Sequence, residues 1–142
     1  NATRSRFITC LLALVDPRSH SVCFASAGHW PPLVARGVGT PPCELDSESG
    51  FPLGVVEDTT YQSTKIELGP EPFVLFCYTD GVNEALDSAG QPFGRERLLQ
   101  ALAERTDLNP STMVKHVRKQ VTGFVGPAEQ SDDLTMLAVW VA

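Results

Sequence analysis

The stretch Phe73-Val-Leu-Phe-Cys-Tyr78, followed directly by Thr79-Asp80-Gly81, decides the fold class predicted for this 142-residue chain. Six consecutive apolar or aromatic residues are typical of a strand buried on both faces or of a short helix in the core. Valine and aromatic side chains favour the strand. The Asp-Gly pair marks the turn at which that strand ends.

Shorter strands are predicted on the N-terminal side of this segment. Residues 7–15 and 21–27 are β-favouring runs, and the Pro and polar residues at 16–20 favour a turn between them, so an antiparallel hairpin is expected. Residues 33–36 predict a short strand, and the alternation over residues 61–68 predicts an edge or half-buried strand.

Two amphipathic helices are predicted on the C-terminal side. Residues 95–105 and 110–124 each place leucine, methionine or valine at helical spacing, and Asn109 and Pro110 suit the N-cap and the first helical position of the second helix. Residues 134–141 then have the composition of a last strand. Strands, then helices, then one returning strand indicate an α+β layered fold in which helices cover a mostly antiparallel sheet.

The composition of the chain excludes several classes of protein. Its 142 residues, 42% of them hydrophobic, suit one domain with a core of ordinary size, and a formal net charge of -6 with scattered Lys and Arg argues against nucleic acid as a partner. No apolar run approaches the roughly 20 residues that span a bilayer, so no membrane insertion is expected for this segment. The four cysteines form no CxxC pair and are interpreted as reduced thiols in a cytoplasm, with Cys10, Cys23 and Cys77 at buried strand positions.

Two acidic sites lie next to the core strands. Asp80 follows the buried strand, and the pair Asp132-Asp133 precedes the last one. If the two strands are antiparallel neighbours, the end of one lies beside the start of the other, which brings the carboxylates to one edge of the sheet. Carboxylate oxygens without His or Cys partners suit Mg2+ or Mn2+ rather than zinc, and two such ions can activate a water for attack on a phosphoryl group.

Each acidic site also has an ordinary structural interpretation. An Asp-Gly pair after a strand is usually only a turn, and short polar residues such as Ser131-Asp132-Asp133 commonly satisfy loop backbone groups before a strand. Taken alone, neither site distinguishes a metal ligand from a turn residue. Their occurrence together with the other segments of the chain favours the metal site.

Six segments form an ordered series of motifs over almost the whole chain. They are Phe7-Ile-Thr9 with the following strand, Ser26-Ala-Gly-His-Trp-Pro-Pro-Leu33, Pro52-Leu-Gly54, Leu75-Phe-Cys-Tyr-Thr-Asp-Gly-Val82 with Glu84-Ala85, Phe93-Gly94 with Arg97-Leu98, and Gln130-Ser-Asp-Asp-Leu-Thr135. This series resembles that of the SpoIIE-like (RsbU-like) metal-dependent Ser/Thr protein phosphatases of the PPM type. The resemblance implies a layered, mostly antiparallel β-sandwich flanked by helices.

The resemblance also implies roles for individual residues. In that family the Asp of the Tyr-Thr-Asp-Gly motif and the first Asp of the Asp-Asp-x-Thr motif are metal ligands, so Asp80 and Asp132 are the expected ligands, with no catalytic residue beyond them. Asp133 takes a supporting position where the wider class often has Asn, and Gly81 is expected to be small so that the backbone can pass close to the site. The implied cofactors are two Mn2+ or Mg2+ ions held by the complete domain.

His29 raises a separate choice between catalysis and structure. It lies in the loop Ser26-Ala-Gly-His-Trp-Pro-Pro-Leu33, whose two prolines fix the backbone. We favour a structural role in which His29 hydrogen-bonds this loop. The family usually has Asn at the position of Trp30, so the contacts of this loop differ from the family pattern.

One motif of the family does not occur in these 142 residues. Family members contribute a further metal-bridging Asp from an Asp-x-x-Gly-His-Gly motif that lies N-terminal to the segments quoted above. We therefore interpret residues 1–142 as a single partial domain, the C-terminal portion of the phosphatase domain, with the N-terminal strands and helices missing. Two aspartates leave few ligands for a two-metal site, so weak or absent activity is expected of the isolated chain. A truncated sheet also exposes unpaired edges, through which a homodimer can form.

The function implied by the resemblance is hydrolysis of phosphoserine or phosphothreonine on a protein by metal-activated water, in cytoplasmic signal transduction of bacteria. An anti-sigma-factor antagonist is the expected phosphorylated protein substrate. The alternative is a non-catalytic, phosphatase-like binding module in a regulatory partner-switching pathway. A serine hydrolase is excluded because there is no Gly-x-Ser-x-Gly elbow, and a zinc enzyme because the His and Cys residues show no ligand spacing.

Overall fold

The computed structural model describes residues 6–127 and 132–142 and divides into two compact units. The first unit comprises Asn1–Pro31 and Leu45–Pro70, and the second comprises Pro32–Glu44 and Glu71–Ala142. Both contain mostly antiparallel sheets, and the helices belong to the second, so the predicted α+β class is confirmed. The interpretation of residues 1–142 as one partial domain stays a prediction.

Eight strands and three helices occur in the part of the chain that the structure describes. In chain order they are β1 (Cys10–Asp16), β2 (Ser21–Ala27), β3 (Leu33–Arg36), β4 (Cys43–Glu44), β5 (Ser49–Gly50), β6 (Thr64–Glu67), β7 (Phe73–Tyr78), α1 (Asp80–Asn83), α2 (Gly94–Ala103), α3 (Pro110–Val125) and β8 (Met136–Val141). None of the helices described is long and apolar enough to cross a membrane.

The first unit is built on the hairpin of β1 and β2. These strands pair antiparallel from Cys10 opposite Ala27 to Asp16 opposite Ser21, as predicted, while β6 pairs antiparallel and β5 parallel with β2. The strand β1 lies at the edge of this sheet and has one exposed face, on which Leu12 is 74% exposed and Cys10 is also exposed. The prediction that Cys10 is buried is therefore wrong, because an apolar run at a sheet edge need not have cover on both faces.

The second unit holds the strand that decided the fold class. In its antiparallel sheet the order is β4-β3-β7-β8, so β7 pairs with a strand on either side. Every residue of β7 except Cys77 is buried, which confirms the prediction of a strand buried on both faces. Buried side chains of α2 and α3 join those of β3 and β7 in one hydrophobic cluster, including Leu98, Leu102, Met113, Val117 and Val121.

The long helix α3 begins as its sequence predicts. Asn109 is extended and accepts hydrogen bonds through Oδ1 from the backbone N–H groups of Ser111, at 2.9 Å, and Thr112, at 3.2 Å. Pro110 occupies the first turn, where its missing N–H group costs nothing. The predicted N-cap is confirmed, and it fixes the point at which the chain starts to cover the sheet.

A buried arginine joins the end of α2 to the loop that follows β3. Arg105 is only 5% exposed, and its Nη1 donates to the Leu102 carbonyl at 2.7 Å. Its Nη2 donates to three carbonyl oxygens of the β3–β4 connection, those of Arg36, Gly37 and Thr40. Burial lowers the pKa of Arg105, and no carboxylate among the described residues forms an ion pair with it. Hydrogen bonds to backbone carbonyl oxygens therefore stabilise the positive charge of Arg105.

Arg105→Met is expected to lower the free energy of unfolding by about 2 to 3 kcal/mol, because the hydrogen bonds from Arg105 to four backbone carbonyl oxygens are lost together. The measurement is urea unfolding followed by circular dichroism. Arg18→Met, at an exposed position in the β1–β2 turn, removes the same charge and should change stability little. Equal stability of the Arg105→Met and Arg18→Met variants would contradict this role of Arg105.

Candidate metal centre

The strands β7 and β8 bring both acidic sites to one end of their sheet. Their antiparallel pairing runs from Phe73 opposite Val141 to Tyr78 opposite Met136. One residue beyond this pairing, the Thr79 backbone N–H donates to the Thr135 carbonyl at 3.1 Å. The two chain segments therefore stay in contact past the ends of the strands. The segment that leaves β7 therefore lies beside the segment that enters β8, as expected for antiparallel neighbours.

A glycine marks where these two segments touch. A Cβ atom built on Gly81 would lie 2.1 Å from the Asp133 carbonyl oxygen and 2.8 Å from its carbon. Gly81 is buried in α1, directly after Asp80, so the backbone that carries Asp80 contacts the backbone that carries Asp132 and Asp133. Only a residue without a side chain fits between them.

The three aspartates at this end of the sheet are exposed. The Oδ1 atom of Asp132 accepts a hydrogen bond from the backbone N–H of Asp133 at 2.8 Å, which orients its carboxylate. Gln130 and Ser131, which belong to the same sequence motif, lie outside the described residues. The roles of Asp80 and Asp132 as metal ligands, and those of Gly81 and Asp133 beside them, stay predictions.

The carboxylate oxygens at this end of the sheet suit a hard divalent cation, but few of them are present. Carboxylate oxygens are the ligands that Mg2+ and Mn2+ prefer. Over residues 6–127 and 132–142, no group of three or more His, Cys, Asp or Glu side chains is placed to hold a metal ion. A cation here would therefore need ligands beyond Asp80 and Asp132, from water or from other protein segments.

Two features near Asp80 were not predicted from the sequence. Arg95 on α2 donates a hydrogen bond from Nε to the Glu44 carboxylate on β4 at 2.7 Å. The charges of both residues affect the pKa of Tyr78. The pKa of Tyr78 is raised to about 12, mainly by burial, with a further rise from Glu44, an opposing effect of Arg95 and a small rise from Asp80. Asn83, 8% exposed, has no hydrogen-bond partner for Oδ1 among the described residues. Charged residues 51 positions apart give no sequence signal of such a contact.

His29 lies in the first unit, in the loop after β2. Its Nδ1 is 2.8 Å from the Trp30 carbonyl oxygen, to which it donates in the tautomer with a proton on Nδ1. The Ser26 hydroxyl accepts from the His29 backbone N–H at 3.2 Å, donates to the His29 carbonyl at 2.8 Å and lies 3.0 Å from the Ser49 hydroxyl. The imidazole thus contacts its own loop at Trp30, and Ser26 contacts the same loop through the His29 backbone. The structural role of His29 stays a prediction.

Comparisons with known proteins identify one matching sequence family, a relative and several similar solved structures. The sequence model of the family Stage II sporulation protein E (SpoIIE) matches residues 1–142. Protein IcfG of Synechocystis sp. strain PCC 6803 is 26% identical over 134 residues, which are 94% of this chain and 20% of IcfG. The SiaA-PP2C domain of Pseudomonas aeruginosa has a TM-score of 0.72 and 23% identity, over 92% of this chain and 50% of that one.

The phosphatase domain of the cell fate determinant SpoIIE from Bacillus subtilis is also similar, with a TM-score of 0.69 and 16% identity, over 94% of this chain and 58% of that one. A Mn-presoaked form of that SpoIIE domain has the same TM-score of 0.69. At these identities the solved structures show the fold alone, and that fold agrees with the predicted α+β class. The chain spans about half the length of the two solved domains and a fifth of IcfG.

Proposed function

The chain belongs to the SpoIIE family, as its six motifs predicted, and on this premise we propose that it forms part of a metal-dependent protein serine/threonine phosphatase. The observation that carries the proposal is the contact of Gly81 with the Asp133 backbone, because it holds Asp80 and Asp132 on touching segments at one end of the β7–β8 pair. The likeness to PP2C phosphatase domains supports the same activity.

In this proposal Asp80 and Asp132 hold Mn2+ or Mg2+, the ions that would supply a water activated for attack on phosphorus. The two side chains act by position and charge, since each carboxylate is fixed to a segment that the sheet holds in place. The hydrogen bond from the Asp133 backbone to Asp132 Oδ1 orients that carboxylate, and Gly81 permits the close approach. The substrate is a phosphorylated protein, which we propose to be an anti-sigma-factor antagonist of bacterial cytoplasmic signalling.

One observation favours a second candidate, a non-catalytic, phosphatase-like binding module of a partner-switching pathway. The described residues gather fewer than three side chains that could hold a metal ion, and the 142 residues contain no Asp-x-x-Gly-His-Gly motif. The isolated chain should therefore hydrolyse phosphoprotein weakly or not at all. Both candidates use the same scaffold and differ in whether further ligands complete the metal site.

Hydrolysis assays distinguish these two functions. A longer protein that contains this chain together with an Asp-x-x-Gly-His-Gly motif is compared with the 142-residue chain, using an aryl phosphate and a phosphoserine protein, with and without Mn2+. The phosphatase proposal expects Mn2+-dependent hydrolysis by the longer protein and little by the chain alone. Absence of hydrolysis by the longer protein with either Mn2+ or Mg2+ would favour the binding module.

Exposed apolar residues on two edge strands lead us to propose a homodimer of the isolated chain. Leu12 and Leu14 on β1 are 74% and 72% exposed, and Leu137 and Trp140 on β8 are 58% and 52% exposed. Each of these strands has a strand neighbour on one side only among the described residues, so a second copy can pair with it. Light scattering should give twice the monomer mass; a monomer at high concentration would contradict the dimer.

A further inference from the structure

The outer face of α3 concentrates positive charge on an acidic chain. Lys115, Arg118 and Lys119 are all exposed, and together they are three of the 11 Lys and Arg residues in a chain of net charge -6. The helix contains no Asp or Glu to balance them. The opposite face of α3 is buried in the hydrophobic core, so the three positive charges form a stripe on the side of the helix that faces away from the core.

No described residue around α3 forms an ion pair with this stripe. Lys115 lies three residues before Arg118 and four before Lys119, spacings at which like charges repel on a helix surface. No ion pair involves these three residues in the part of the chain that the structure describes. The nearby carboxylate of Glu104 lies 3.6 Å from His116 Nε2, and the last turn of α3 carries no basic residue that the helix dipole would stabilise. Among the described residues of the second unit, no ion pair offsets this repulsion.

The shape of the second unit also favours a ligand on this face. The helix α3 stands between a groove of about 510 Å3 that it forms with α2 and one of about 520 Å3 that it forms with the start of β8. Arg118 and Thr122 line the second groove with Val114, Leu134 and Met136, so cationic and apolar groups lie side by side. Such a surface suits a peptide with both acidic and apolar side chains.

Gly123 extends the open surface along the same helix. It contributes to the lining of the groove with α2, and a Cβ atom built there would meet no atom within 4 Å. Alanine would fit and would favour the helix more than glycine does. Glycine at this position leaves the helix backbone open to close approach by another polypeptide.

We propose that the outer face of α3, formed by Lys115, Arg118, Lys119, Thr122 and Gly123, docks a carboxylate-rich segment of a partner protein. Charge complementarity selects an acidic ligand. A protein segment fits better than nucleic acid, because Val114, Leu134 and Met136 line the groove beside Arg118 and can take apolar side chains. This docking does not depend on phosphatase activity.

Binding of a synthetic probe tests the proposal. The probe is a fluorescein-labelled amphipathic peptide rich in Glu, compared with a peptide in which every Glu is Gln, and anisotropy is measured with the 142-residue chain. The double variant Arg118→Gln, Lys119→Gln is expected to bind the Glu peptide about tenfold more weakly than the unaltered chain. The matched double variant Arg18→Gln, Lys65→Gln changes two exposed cations of the first unit and should bind as the unaltered chain does.

The variant Gly123→Leu tests the shape of the α3 face, because it changes no charged residue. It should weaken peptide binding about threefold or more without lowering the midpoint of thermal unfolding, because a Cβ atom at this position meets no atom within 4 Å. Equal losses in the two double variants, equal binding of the Glu and Gln peptides, or no saturable binding at low salt would overturn the proposal. Tighter binding of single-stranded oligo(dT) than of the Glu peptide would overturn the choice of a protein partner.

Discussion

Asp80→Asn or Asp132→Asn, made in a phosphatase domain that contains this chain, is expected to lower Mn2+-dependent hydrolysis of an aryl phosphate by about 10²- to 10³-fold. The amide keeps the shape of the side chain and removes the negative charge that a hard cation requires. The two residues lie on backbone segments that touch at Gly81 and Asp133, so either loss should weaken the same metal site.

Initial rates measured at a series of Mn2+ concentrations distinguish a variant that has lost a metal ligand from one that is partly unfolded. A lost ligand raises the Mn2+ concentration needed for half-maximal rate, whereas partial unfolding lowers the rate at every concentration. Asp46→Asn, at an exposed position of the first unit, removes the same charge and should keep full activity. Asp133→Asn should keep most of it, because we propose only a supporting role for Asp133. Undiminished activity of Asp80→Asn or Asp132→Asn would remove the metal assignment.

Gly81→Ala is expected to destabilise the second unit by about 3 kcal/mol, which makes it the most damaging single-methyl change that we predict for this chain. The added Cβ atom would lie 2.1 Å from the Asp133 carbonyl oxygen, a backbone atom that can move only if the segment entering β8 moves with it. Because that segment carries Asp132, Mn2+ affinity should fall together with stability.

Gly123→Ala is the matched control for Gly81→Ala. Both glycines lie in helices with ordinary negative φ, but a Cβ atom at Gly123 meets no atom within 4 Å. Gly123→Ala should therefore leave the free energy of unfolding unchanged or raise it by about 0.5 to 1 kcal/mol. Urea unfolding of both variants measures the difference, and calorimetric titration of the longer phosphatase domain with Mn2+ measures the loss of metal affinity. If Gly81→Ala is as stable as Gly123→Ala, the proposed contact does not form in solution.

Local signals in the sequence were sufficient for much of the fold. The continuous apolar run of β7 predicted a strand covered on both faces, and Asn109 with Pro110 predicted the start of α3, since both signals depend on neighbouring residues alone. The run that forms β1 looked equally apolar, yet Leu12 and Cys10 are exposed. Burial of a strand depends on which segments cover it, and its own residues do not carry that information.

For the candidate site, the sequence by itself determined which residues are present: acidic side chains directly after one core strand and directly before another, in motifs of the SpoIIE family. Only the tertiary structure decided that these segments touch, through the antiparallel pairing of β7 with β8 and the contact of Gly81 with Asp133. It also decided that the carbonyl groups around Arg105 compensate a buried cation. The physical reason is that strand endings and helix caps arise from short-range interactions, whereas strand pairing and the compensation of buried charge join residues far apart in the chain.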